Sequence, residues 1–148
     1  MTSIDTVTLE TPTNNAPVKE DPVIAAIRAA FPKTLAIYAF GSRINGMAHS
    51  ASDLDLAVLI TGYAEPLQLW ELSSDLAEIT GCAVDLLDMR AASTVMQYQI
   101  LQMGRRLWGQ EPAAGLFECF VLSEKTALDT ARAGLLADIQ QTGKIYGR

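Results

Sequence analysis

GSRINGMAHSASDLDLAVLI, residues 41–60, joins a glycine-serine turn to an apolar run that opens with two aspartates. In an extended strand successive side chains alternate between faces, so Asp53 and Asp55 share one face. Leu54, Leu56 and Val58 take the other face, and Ala57 and Leu59 continue the aspartate row. Apart from its start the run is apolar on both faces, which predicts a buried strand with two acids at its end. Uncompensated carboxylates in apolar surroundings are expensive. Two of them about 4 Å apart repel by roughly 4 kcal/mol at an effective dielectric near 20. A divalent cation removes that cost. Mg2+ is suited to the task because it takes oxygens from one or two carboxylates together with substrate phosphates. Paired acids of this kind point to phosphoryl or nucleotidyl transfer.

Working outward, TLAIYAF (residues 34–40) is a β-branched and aromatic run that stops at a glycine, and it predicts a neighbouring strand. DPVIAAIRAAF (residues 21–31) predicts a helix with Asp21 as N-cap and Pro22 at the first position. Its apolar stripe is Val23, Ile24, Ile27 and Phe31. A short helix is expected directly after Gly41, before the acidic strand at 53–60. EPLQLWELSSDLAEITG (residues 65–81) predicts a helix with Leu67, Trp70, Leu72, Leu76 and Ile79 on a broad face and Gly81 as its stop. CAVDLLDM (82–89) predicts a third strand, followed by helices over about 91–104 and 111–141. The order α-β-α-β-α-β-α-α predicts an α/β class, with helices over a small mixed sheet. Residues 1–20, rich in Thr, Asn and Pro, predict a flexible tail.

A third carboxylate would complete a metal site, and the third strand offers two. Asp85 lies inside AVDLL, where an acid needs a reason, whereas Asp88 at the strand's end can cap the next helix. Asp85 is therefore the third candidate acid and the candidate general base for an attacking hydroxyl. Opposite the acids, Gly41 permits a tight turn and close backbone approach. Helical N–H groups after it would meet a phosphate, with the Ser42 hydroxyl and the Arg43 charge beside them.

Composition narrows the function classes. No apolar run approaches the roughly 20 residues of a membrane span. MTSIDTVTLE lacks the basic and apolar regions of a signal peptide, so a cytoplasmic location is expected. A net charge of −6 disfavours nucleic-acid binding and suits a basic protein partner or an uncharged one. The single His49 reads as a loop residue and cannot support a histidine-based zinc site. Cys82 and Cys119 fall in no cysteine motif and read as reduced, small hydrophobic residues. Trp70 and Trp108 read as core or interface aromatics, and Arg105 with Arg106 as a solvated pair at a helix end.

Taken together, Gly41-Ser42, ten intervening residues, Asp53-x-Asp55 and the later Asp85 resemble the polymerase-β-type nucleotidyltransferases. Within them the short chain resembles the minimal nucleotidyltransferase proteins, particularly the MntA-type antitoxins of HEPN/MNT toxin–antitoxin pairs. The turn keeps Arg43 and Gly46 but carries Asn45 where many relatives have a second arginine. The resemblance implies that Asp53, Asp55 and Asp85 bind Mg2+ and that Ser42 contacts the phosphates of ATP. It further implies transfer of AMP onto a tyrosine of a cognate HEPN ribonuclease toxin, which silences it. The expected layout is a tail at 1–20, a nucleotidyltransferase core at 21–110 and a helical extension at 111–148. That layout leaves no sizeable acceptor-binding domain, so the acceptor has to bring its own surface. Two alternatives remain open: masking of the toxin by binding alone, and nucleotidyl transfer to a small molecule such as an aminoglycoside. The final helix is expected either to pack across the sheet or to dock the partner.

Overall fold

The computed structural model describes residues 20–41 and 53–142. Among these, the elements run α1 (Glu20–Ala30), β1 (Thr34–Phe40), β2 (Leu54–Ile60), α2 (Pro66–Thr80), β3 (Val84–Asp88), α3 (Thr94–Met103), β4 (Arg105–Gly109) and α4 (Ala113–Thr142). A 3-10 turn, Met89–Ala91, links β3 to α3. The expected mixed sheet flanked by helices is present.

β1 and β2 are short apolar runs without a polar face, which suits the two central strands of a covered sheet. The strand order is β3-β2-β1-β4. β1 is antiparallel to both neighbours, whereas β2 and β3 are parallel. Parallel pairing requires a crossover, and α2 supplies it. That helix opens with Pro66 in its first turn and closes at Gly81, which adopts φ +77° and donates its N–H to Ala77 O at 2.9 Å. This is the glycine stop that the sequence predicts.

Alternation along the strands divides the core into two layers. On one face Ile37, Ala39, Leu54, Leu56 and Val58 meet Val23 and Ile27 of α1 and Leu72 and Leu76 of α2. On the other, Ala36, Tyr38, Ala57 and Leu59 meet Met89, Ile100 of α3, and Ala114, Phe117 and Val121 of α4. α4 thus packs across the sheet only through its first turns, and the stretch from Thr126 to Asp138 is exposed. No helix among the described residues is long and apolar enough to cross a membrane.

Several expectations shift. α1 already includes Glu20, so Asp21 is not its N-cap; both acids lie in the first turn, where the helix dipole favours them. β2 starts at Leu54 and β3 at Val84, later than the predicted 53 and 82. Arg105 and Arg106 do not end a helix. They open β4, because Gly104 turns the chain into extended geometry (φ −101°, ψ −165°) and the segment fills the open edge of β1. Nor are they simply solvated. Arg105 pairs with Glu20, while Arg106 pairs with Glu111 at 2.7 Å and Glu118 at 3.4 Å. Trp70 is exposed rather than core, and Trp108 lies under the Arg28 guanidinium, 4.2 Å from its ring centroid. Both cysteines are free, but Cys119 is exposed and does not pack as a core hydrophobe. The remainder of the tail, the short helix expected after Gly41 and His49 lie outside the described residues.

Two glycines separate packing from propensity. A Cβ at Gly104 would sit 2.5 Å from Ala39 O and 2.6 Å from Ile100 O, both backbone atoms. Gly134, inside exposed α4, has nothing within 4 Å. Urea denaturation of Gly104→Ala is expected to show a loss of about 2 kcal/mol. Gly134→Ala is expected to gain about 0.5–1 kcal/mol.

Candidate active site

The end of β2 gathers the predicted acids. The parallel register sets Asp55 opposite Asp85, and Leu54 opposite Val84. On the other side Asp55 is the cross-strand partner of Phe40, the last residue of β1. Asp55 shares the face of Ala57 and Leu59, so it points toward the α3–α4 layer. Asp85, its in-register neighbour, shares that face. Asp53 is exposed just ahead of the strand. Beyond Phe40, Gly41 adopts φ +88°, and a Cβ there would collide with the Asp55 carboxylate. Left-handed geometry and lack of space both demand glycine.

Charge accumulates at this point. Asp55 is half-buried, and its carboxyl is raised above the ordinary 3.8, first by burial, then by the negative charges of Asp85 and Asp53. Among the described residues no group of three His, Cys, Asp or Glu side chains is set to hold a metal ion. Mg2+ does not require such a cage, because one or two carboxylates plus substrate phosphates suffice. The donors are all oxygen, and the repulsion raised on Asp55 is what a divalent cation would relieve. On that chemistry the residues fit the ion.

Asp88 behaves as the helix cap it was expected to be. Its Oδ1 accepts from Arg90 N at 3.1 Å and its Oδ2 from Ala64 N at 2.9 Å. It belongs to the wall between β3 and the start of α2, not to the acid cluster. Ser42, Arg43, Asn45 and Gly46 lie outside the described residues.

The sequence reading gave α3 no role at the site, yet α3 walls a cavity of about 600 Å³ beside the acids. Phe40 and Gly41 line it from the sheet, and Met96, Tyr98, Gln99 and Gln102 line it from the helix. The available signal was the segment TVMQYQILQM, an apolar and amide-rich helix directly after the third-acid strand.

Comparison with known proteins identifies the family of the fold. The sequence profile described as "Polymerase beta, Nucleotidyltransferase" matches residues 23–113. Protein adenylyltransferase MntA of Shewanella oneidensis is 35% identical over 122 residues, spanning 82% of this chain and 88% of that protein. A chain of a crystal structure of a toxin-antitoxin with AMP-PNP superposes with a TM-score of 0.73 at 35% identity, covering 83% of this chain and 99% of that one. A chain from a structure of tri-AMPylated Shewanella oneidensis HEPN toxin in complex with MNT antitoxin gives 0.66 at 34% identity, covering 82% and 95%. Profile, relatives and fold agree that this chain belongs to the polymerase beta-type nucleotidyltransferase family.

Proposed function

We propose that this chain is a Mg2+-dependent protein adenylyltransferase acting as an antitoxin. It transfers AMP from ATP to a tyrosine hydroxyl of a cognate HEPN ribonuclease toxin and so neutralises it. The observation that carries this reading is the in-register pairing of Asp55 with Asp85, beside a glycine turn that leaves no room for a side chain. The likeness to a protein adenylyltransferase, and to structures holding AMP-PNP and an AMPylated toxin, supports it.

In this reading the metal ion would sit among Asp53, Asp55 and Asp85, held by one or two of these carboxylates together with the substrate phosphates, and Gly41, Ser42 and Arg43 hold the ATP phosphates. The ion would neutralise charge on the phosphates and on the departing pyrophosphate. Asp85, the more exposed of the two paired acids, accepts the tyrosine proton. The phenolate oxygen forms a bond to the α-phosphorus while the bond from that phosphorus to the bridging oxygen breaks, and pyrophosphate leaves. We assign residues 21–110 to this chemistry and 111–148 to the partner side, where Leu122, Leu128, Leu135 and Leu136 are exposed on α4. A cytoplasmic location follows from the same reading.

Mass spectrometry of the toxin after incubation with ATP and Mg2+ is expected to show one or more added AMP units. Asp55→Asn is expected to lower the rate about a thousandfold, equivalent to a few kcal/mol of lost charge stabilisation. Undiminished neutralisation by that variant, without modification, would favour simple masking.

The raised Asp55 carboxyl also makes a prediction about pH. A carboxyl raised in the folded state is harder to ionise folded than unfolded, so it costs stability once ionised. That cost is absent below the ordinary value of 3.8, grows as pH rises through the raised value and is then constant. In EDTA at pH 7, Asp55→Asn is therefore expected to melt above wild type. The gap should close on acidification. Added Mg2+ should raise the wild-type melting temperature and leave that of the variant nearly unchanged.

A further inference from the structure

The cavity between the end of β1 and α3 has a chemistry distinct from the acids it adjoins. Resting on the adenylyl-transfer reading, we propose that it receives the adenine base of the nucleotide, with Tyr98 as the stacking surface and Gln102 as the selecting group. Phe40 is the cross-strand partner of Asp55, and Gly41 touches Asp55; both residues also line the cavity. A nucleotide whose phosphates lie between Asp55 and the Gly41 turn therefore meets the cavity one sugar away from its α-phosphate.

The described lining suits a base better than a triphosphate or a metal. Phe40, Met96, Tyr98, Ile100 and Met103 supply apolar and polarizable surface, and among the described residues no charged side chain lines the space. At about 600 Å³ it falls within the range of ligand pockets, roughly 300–1,000 Å³. A neutral, planar heterocycle suits such walls. Lys125 Nζ lies 4.5 Å from the Tyr98 ring centroid, so a cation occupies one face and fixes the ring. A base stacks on the other. Gln102 Nε2 donates to the Tyr98 hydroxyl at 2.8 Å, which leaves the Gln102 carbonyl oxygen as an acceptor. That acceptor matches the exocyclic amine of adenine, whereas guanine offers a carbonyl at the same position and the two oxygens repel.

Calorimetric titration of the full-length chain, in Mg2+, with ATP, GTP and inorganic tripolyphosphate tests the assignment. Tyr98→Ala is expected to weaken ATP about tenfold or more, the scale of one lost base stack, and to leave tripolyphosphate unchanged. Gln99→Trp, at an exposed position on the cavity wall, fills the space without disturbing the core and is expected to do the same. Gln102→Met is expected to narrow the preference of ATP over GTP. Asp55→Asn is the control for the phosphate end and should weaken both ATP and tripolyphosphate. If Asp55→Asn weakens both ligands while the α3 variants leave ATP affinity intact, the base assignment is overturned and the phosphate reading stands. If the α3 variants instead raise only the KM for the protein acceptor, the cavity belongs to the acceptor and the proposal is wrong. If Asp55→Asn changes neither ligand, the underlying site reading fails first.

Discussion

Asp55 is the second residue of a strand whose other six residues are all buried, and Asp85 stands beside it on the next strand, roughly 4.8 Å away across the sheet. Neither acid can move off without breaking register, because a one-residue slip of β2 would turn Ala57 and Leu59 into the opposite layer. The sheet therefore enforces both the burial and, after it, the repulsion that raise the Asp55 carboxyl. Everything nearby makes room for something to answer that charge. Gly41 places no side chain there, β1 ends one residue earlier, and Asp53 and Asp85 remain exposed.

The two faces of the sheet share the work unequally. α1 and α2 seal theirs, with Val23, Ile27, Leu54, Leu56, Val58 and Leu76 all fully buried. The other face is sealed at its centre by Ile100, Phe117 and Val121 but opens toward the strand ends, where α3 stands away from Phe40. Polar contacts hold this layer at the far edge. The Tyr38 hydroxyl donates to Glu118 at 2.7 Å, which joins Arg106 and Glu111 in one network from β1 through β4 to α4. Burial, then the hydrogen bond to Glu118, holds the Tyr38 hydroxyl protonated far above the ordinary tyrosine range. Exposed ion pairs of this type contribute little to stability singly. Their role here is to fix the angle of α4 while the apolar contacts supply the energy.

What the sequence made legible follows local rules. Asp53, Asp55 and Asp85 stand out as candidates because acids interrupt apolar strands, and Asp88 separates from them by its place at the strand's end, where it caps the next turn. β4 was missed because RRLWG has two charges, a bulky aromatic and no alternation; it is a strand only because β1 has an edge left to fill. The pairing partner lies about 70 residues away, beyond any local window. The α3 cavity was invisible for a related reason. Its walls come from the end of β1 and from a helix more than 50 residues later, and only the packing of α4 behind Tyr98 sets the space between them. Of the two readings open for Trp70, core or interface, the core one fails: α2 turns it outward while Leu72 and Leu76 fill the sheet face.

α4 combines both kinds of constraint in one element. An isolated, solvated helix is marginal because the first turn costs more than it returns, while each further residue is nearly free. Ala114, Phe117 and Val121 pay that nucleation cost within the core. From there the helix propagates over the exposed stretch Thr126–Asp138, supported by the Lys125–Asp129 pair at one turn's spacing. Lys125 serves twice, since the same ammonium lies over Tyr98. One side chain thus joins the exposed length of α4 to the wall of the cavity beside the acids.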